Sequence, residues 1–463
     1  MVCTLQGDSF TRYGWSVCLW IVTVAFQYGY HISALNQIQA VLSCRNIDPL
    51  AFPMQYGLPR CIPMNDFTFS VVTSMFTVGG LVGSMLSGTA MEKYGRRGAL
   101  RFTAWLLVFG AGLLAVSSSV FMLVLGRHAC IHDVLTTCIC PVFLSEVSPA
   151  KISGSVGILT QMGIVTGIMT TQCLGLAFAT PSRWRNVLFF SCALAVAQSL
   201  LASFIVESPA WLGRHGRPED RKAAAHRLWR MNETDAEAPL IDDADARREE
   251  SHSLASISVR QLLVSKELRT PLFVTSFAML AQQLCVLYYS NNVLERSLGT
   301  EMGPYVSVGI TVMNTIMTFA PIYLIGRLGY KQLLLISSTG VILSLVGVGF
   351  GLDSGLVILP SIAILTFVMS FALGLGPVPF VMVPEISPIH AVSAMSSVAL
   401  SLNWIANFFV GLVFLELRDM LAGGDALKEG RVFYVFAVIL GLCMTALMRF
   451  SKAFCEYISI TSF

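Results

Sequence analysis

Gln161, Gln282, Gln283, Asn314, Asn403 and Asn407 each stand near the middle of a run of otherwise apolar residues. Gln282 and Gln283 are neighbours, in "AQQLCVLYYSNN" (281–292). A carboxamide carries two N–H donors and a carbonyl acceptor. Leaving these unmet in hydrocarbon costs roughly several kcal/mol, so each must meet another helix or a ligand. Amides bond hydroxyls in both directions and bring no charge, so the set suits a neutral polyol. Its plainer use is hydrogen bonding between helices, a common role of Asn and Gln in membranes.

Ionisable residues inside apolar runs are fewer. His31 follows Gly29-Tyr30, and histidine titrates near neutral pH. Asp133 lies in the run that also holds Arg127 and His132, and an ionisable group at such depth is functional by default. Pairing of Asp133 with Arg127 or His132 is the blander reading. No His, Cys, Asp or Glu spacing suggests a metal site, and the sequence leads us to expect no catalytic residue, metal or cofactor.

The elements that must hold these residues follow from composition. The chain has 463 residues, 55% hydrophobic and 12% charged, with a mean hydropathy of +0.69. Soluble domains carry about 25% charged residues, so the composition is that of a polytopic helical membrane protein. A net charge of +3 gives no reason to expect a nucleic-acid partner. Apolar runs at 14–34, 67–90, 99–118, 121–145, 153–177, 186–206, 271–294, 304–325, 332–352, 356–384, 393–415 and 432–449 are each near the roughly 20 residues a bilayer requires. They predict twelve transmembrane helices.

One long polar stretch, Glu207 to Arg269, divides the chain: six spans in 1–206, a central loop at 207–270 and six spans in 271–463. That stretch carries eleven of the 30 Lys and Arg residues. The positive-inside rule then puts it, and both termini, in the cytosol. Cys44 and Cys61 share the polar loop after the first span, as a disulfide if that loop faces an oxidising compartment or as two free thiols.

The halves echo each other. "PVFLSEVSP" closes span four and "PFVMVPEISP" span ten; "YGRRGAL" follows span two and "IGRLGYKQLLL" span eight. Parallel halves of this kind are the pattern of major facilitator transporters. With "FQYGYHISALNQIQ", "GILTQMGIVTG", "VESPAWLGRHGR", "QQLC…YYS", "GLGPVPF" and "LNWIANFFVG" in matching order, the chain resembles the sugar porter family over about residues 14–450. Its first span is more like the animal and fungal hexose carriers than the bacterial ones.

The resemblance implies a major facilitator fold of two six-helix bundles, working as a monomer in the bilayer. It implies a hexose or similar neutral polyol, moved by alternating access. Contacts would come from Gln161, Gln282, Gln283, Asn314, Asn403 and Asn407, with Phe380 and Trp404 as aromatic walls. Phe380 stands where most members have Trp, and Ala372 where hexose facilitators often have an acid.

It also implies a charge network that closes the cytosolic ends while the site faces outward: Glu92, Arg96, Arg97, Arg127, Glu146, Glu207, Arg327 and Glu385. Ser153, Ala210 and Gly326 stand where gate charges are usual, which predicts a gate held more weakly or in another way. His31 takes the place of the Asp of proton-linked members, so facilitated diffusion is favoured over symport, with His31 and Asp133 as the candidate proton sites. The Tyr288-Tyr289 pair follows the glutamines about one helical turn early, and the Gly and Asn usual between them are missing. That predicts a stiffer seventh helix and altered sugar recognition. The rivals are a sensor with weak transport and a carrier of a non-sugar molecule. The expected address is the plasma membrane or a vacuolar or other internal membrane.

Overall fold

The computed structural model describes residues 9–35, 37–44, 54–55, 57–129, 131–230, 257–284, 303–356, 358–423, 425 and 428–461. Side-chain caps start several helices. Thr11 accepts from the Gly14 N–H (3.0 Å) ahead of α1, Arg12–Ser33. Asn65 accepts from Thr68 (2.8 Å) ahead of α2, Asp66–Ala115. The first half continues through α3, Val120–Ala129, α4, Ile131–Val147, α5, Ser153–Gly157, α6, Leu159–Phe178, and α7, Trp184–Leu201.

The central loop begins with α8, Pro209–Arg214, where Ser208 caps and Pro209 takes the first turn, a position that needs no N–H. Then come α9, Pro218–Leu228, and α10, Val259–Val264, which opens on a Ser258/Gln261 capping box. The second half holds α11, Arg269–Leu284, α12, Gly303–Met317, α13, Ala320–Asp353, α14, Ile358–Leu373, α15, Val378–Ile386, α16, Val392–Ala422, and α17, Arg431–Thr461.

Every apolar run of the sequence holds helix, and among the described residues six stretches are long and apolar enough by length and composition to cross a membrane. The run at 271–294 is helical as far as Leu284; Tyr288, Tyr289, Asn291 and Asn292 lie outside the described residues. Leu86, Phe109, Phe121, Leu343, Phe350 and Leu442 are exposed. Apolar surface on that scale marks a lipid-facing exterior.

Helices α2 and α13 each join two of the expected runs across one glycine of positive φ. These are Gly95 (φ 75°, ψ 177°) and Gly329 (φ 73°, ψ 163°), in a region essentially closed to other residues. The matching backbone fixes the register of the internal repeat. Read by letters, Gly95-Arg96 echoes Gly326-Arg327; read by backbone, Gly95 matches Gly329, three residues further on. Tyr330 therefore holds the place of Arg96, Gly326 that of Glu92, and Arg327 that of Lys93.

Within the first half α1 packs on α4 and α6, and α2 on α3, α4 and α7. Within the second, α13 packs on α14 and α17, and α11 on α16 and α17. The halves meet where α2 crosses α16 on small residues. Ser84 and Ser401 hydroxyls lie 3.0 Å apart, and Ser397 donates to the Ser84 carbonyl (2.6 Å). Gly80 lies under Trp404: a Cβ there would stand 2.7 Å from the indole. Small residues of α2, Gly79, Gly80, Gly83, Ser84, Ser87 and Gly88, let α16 approach this closely.

Strand pairs are short. Ser9–Phe10 runs antiparallel to Trp229–Arg230 and ties the start of α1 to the central loop. At the far end of α1, 22 residues and so about 33 Å away, Cys44 and Cys61 are joined by a disulfide. The two readings of that pair thus resolve to the bond.

Candidate functional site

The chain breaks between α14 and α15 at Gly374-Leu375-Gly376-Pro377, because Pro377 has no N–H to continue the helix. In that break the carbonyls of Leu375 and Gly376 accept from Gln282 Nε2 at 3.2 and 2.8 Å. Gln161 reaches the same place from the first half: a Cβ on Gly376 would lie 3.3 Å from its Nε2. The two glutamines thus converge on one glycine from opposite sides.

Accounting for each N–H divides the amides in two. Gln282 spends both donors on Leu375 and Gly376. Asn403 spends both on Met279 O (3.0 Å) and Gln282 Oε1 (3.0 Å), and its own Oδ1 accepts from Gln283 (3.0 Å). Asn407 donates to Gln283 Oε1 (2.8 Å). Gln282 and Asn403 are therefore framework, tying α11 to α16 and to the break.

Gln283 keeps one N–H unspent. Gln161 is 6% exposed and makes no side-chain hydrogen bond among the described residues. Asn314 likewise holds a buried Oδ1 with no partner. A buried, unspent amide costs about 1–3 kcal/mol. Among the described residues, these three carry unspent capacity that hydroxyls could meet.

The aromatic residues differ from each other. Trp404 packs on Gly80, edge-on to Tyr28 (6.4 Å) and Phe76 (6.0 Å), so a second-half ring sits against the first half. Phe380 is 7% exposed, in a core with Met279, Val383 and Leu400.

At the end bearing the central loop, Arg96 is wholly buried. Its Nη2 lies 2.8 Å from Glu146 Oε1 and 3.2 Å from Ser393 Oγ, and its Nη1 lies 3.5 Å from Glu92 Oε1. Ser393, on α16, donates to Glu92 (2.5 Å). The contact across the halves is thus made by a neutral hydroxyl. Arg214 adds to it, 3.5 Å from Glu92 and donating to the Ile389 carbonyl (3.1 Å). Burial, with the Arg96 charge, lowers the Arg214 pKa, against the pull of Glu146 and Glu92.

Glu207 accepts from the backbone N–H groups of Arg96 (2.8 Å), Arg97 (3.1 Å) and Ser208 (2.9 Å). It caps the helix that restarts after Gly95. A Cβ on Gly95 would stand 2.3 Å from Glu207 Oε2, so glycine is required there twice over. Burial pushes the Glu207 carboxyl above its ordinary value, against those N–H groups and Arg96. Arg97 donates to the Ile205 carbonyl (2.9 Å).

Arg327 is exposed, and neither it nor Glu385 has an ion pair among the described residues. Sequence reasoning missed Ser393, Ser208 and Arg214. The Ser208-Pro209 helix start was the available signal for the last two, because it marks a short helix that carries Arg214 back over α2.

His31 lies apart from the amides. It is fully buried, with Nε2 2.5 Å from Ser191 Oγ on α7, and its carbonyl accepts from Arg127 (2.7 Å). Ser191 donates to Gln27 (3.3 Å) and Gln27 to Gln198 (2.6 Å), a polar chain inside the first half. The Arg127 guanidinium sits 4.8 Å over the Phe76 ring. The side chain of Asp133 lies outside the described residues.

Apolar helices in two echoing halves, closed on each other at the charged end, define a multi-pass membrane transporter of the major facilitator fold. The solved structure of the proton:xylose symporter XylE bound to 6-bromo-6-deoxy-D-glucose matches with a TM-score of 0.77 at 20% identity, covering 95% of this chain and 96% of that one. The model of the family "Sugar (and other) transporter" matches residues 17–455, and the chain belongs to that family. A probable metabolite transport protein of Saccharomyces cerevisiae is 29% identical over 91% of this chain and 88% of its own length. The facilitated glucose transporter member 3 of solute carrier family 2 from Oryctolagus cuniculus is 31% identical over 90% and 85%.

Proposed function

We propose that this transporter carries a hexose or similar neutral polyol by alternating access, as facilitated diffusion. The observation that carries the reading is the unspent hydrogen-bonding capacity of Gln161, Gln283 and Asn314. It comes from both halves, and Gln161 and Gln283 lie beside a break already braced by Gln282. A sugar offers hydroxyls that donate and accept, and it requires no counter-charge. The facilitated glucose carrier among the relatives supports the same substrate class.

Facilitated diffusion is supported by the surroundings of His31. It is fully buried between α1 and α7, with its ring on Ser191 and its backbone carbonyl on Arg127. The disulfide supports an oxidising compartment at the far end of α1. The loop-bearing end and both termini then face the cytosol, in the plasma membrane or an internal membrane such as the vacuole's. A carrier of another small metabolite is the second reading, because Phe380 is only 7% exposed and presents little ring face to a pyranose.

The test is uptake of labelled hexoses into liposomes containing the purified protein, with and without a pH gradient. Saturable uptake unaffected by the gradient is expected. Absence of saturable uptake of any hexose defeats the substrate, and a requirement for inward proton flow defeats uniport. Gln161→Ala should weaken hexose binding at least tenfold by calorimetry, about 1.4 kcal/mol; unchanged affinity would make Gln161 structural.

A further inference from the structure

At the loop-bearing end a cavity of about 270 Å³ lies between the halves, with Glu146, Ser153, Ala210, Arg221, Trp229 and Glu385 among its walls. Ser153 and Ala210 contribute little side chain, which leaves the space open. Most of the other walls are committed elsewhere. Glu146 is taken up by Arg96 (2.8 Å) and by the Ser208 hydroxyl (2.5 Å). The Trp229 indole N–H donates to the Val147 carbonyl (2.7 Å), so its ring is what remains to line the space.

Glu385 differs. Among the described residues its carboxylate meets no donor and no cation. Its Oε1 approaches Gly154, where a Cβ would lie 3.0 Å away, so the second half's acid reaches against the first half's wall. An anion entering here meets the unpaired Glu385 carboxylate, since Glu146 is already held by Arg96. A neutral molecule gains no charge-assisted bond from Glu385, which is exposed to the cavity and solvent. A cation with N–H donors gains a charge-assisted hydrogen bond, and an aromatic face beside it adds attraction. Arg221 is the opposing charge. Its guanidinium lies by Gly213, with Nη1 3.2 Å from where a Cβ would stand, and it disfavours a ligand with more than one positive charge.

We propose that this cavity binds a small organic cation of single charge, a guanidinium or alkylammonium compound, on Glu385. Wedged between a second-half carboxylate and first-half walls, the bound cation holds the loop-bearing end closed. The site is separate from the amides, and its occupancy is read directly, whichever solute the protein carries.

The experiment titrates methylguanidinium into the full-length protein in detergent by calorimetry, beside N-methylurea, its neutral isostere, at equal ionic strength. Saturable binding of methylguanidinium alone is expected. Glu385→Gln should weaken it at least tenfold. Ala210→Arg, which brings a tethered guanidinium to the same wall, should abolish it. Equal binding of the urea, no saturable binding by either probe, or affinity retained in Glu385→Gln overturns the proposal. If that variant fails to fold, Ala210→Arg decides: methylguanidinium affinity unchanged there overturns it too.

Discussion

The two halves of the chain carry the same device at the loop-bearing end, and only one of them is built in full. In the first half, Gly95 breaks α2, Glu207 caps the restart, and Arg96 turns inward onto Glu146 and Glu92. In the second half, Gly329 breaks α13 in the same conformation, yet a Cβ there would meet nothing within 4 Å. Tyr330 replaces the arginine, Gly326 replaces the acid, and Glu385 has no ion pair among the described residues. The backbone of the repeat persists where its charges do not. Closure of this end therefore rests on one half's ion pairs, joined to the other half by Ser393 and the Ile389 carbonyl.

Two pairs of variants and one repair bear on that contrast. Glu146→Gln leaves Arg96 buried without its nearest carboxylate and should cost about 3–5 kcal/mol. Glu385→Gln, which breaks no pair, should fall within about 0.5 kcal/mol. Thermal unfolding midpoints in detergent compare them, and equal losses would refute the asymmetry.

The glycines come next. Gly329→Ala should cost the backbone strain alone, about 1–3 kcal/mol. Gly95→Ala should cost about 1.5–3 kcal/mol more, because its methyl displaces the Glu207 carboxylate from charge-assisted hydrogen bonds. The same midpoints measure the excess; none would mean that Glu207 does not cap. Smallest is the repair. Tyr330→Arg should give Glu385 a partner and stabilise by about 0–1 kcal/mol, slowing modification of a cysteine introduced at Ser153. Faster modification would refute the assigned register.

Much of this was legible in the sequence. Apolar runs located the helices, and the E-x-S-P echo located both acids, since Glu146 and Glu385 each precede a serine that bonds back to its own helix. The glycine echo misled by three residues, because letters record that a glycine and an arginine are adjacent and not which glycine has positive φ. The amides were recognisable as a set. Their division into framework and free donors was not, since it depends on which carbonyls the break at Pro377 exposes. Nor was the contact of His31 with Ser191, which depends on which faces of α1 and α7 meet.

The Trp404 indole, fixed to α16 and resting on Gly80 of α2, gives the protein an optical reporter of its own. Any cycle that separates those two helices changes the solvent around that ring, and with it the colour of its fluorescence. With Trp404 as the reporter and the other six tryptophans as background, one Trp404→Phe control isolates its signal. The carrier's state then becomes readable in real time, in unlabelled protein and in a bilayer.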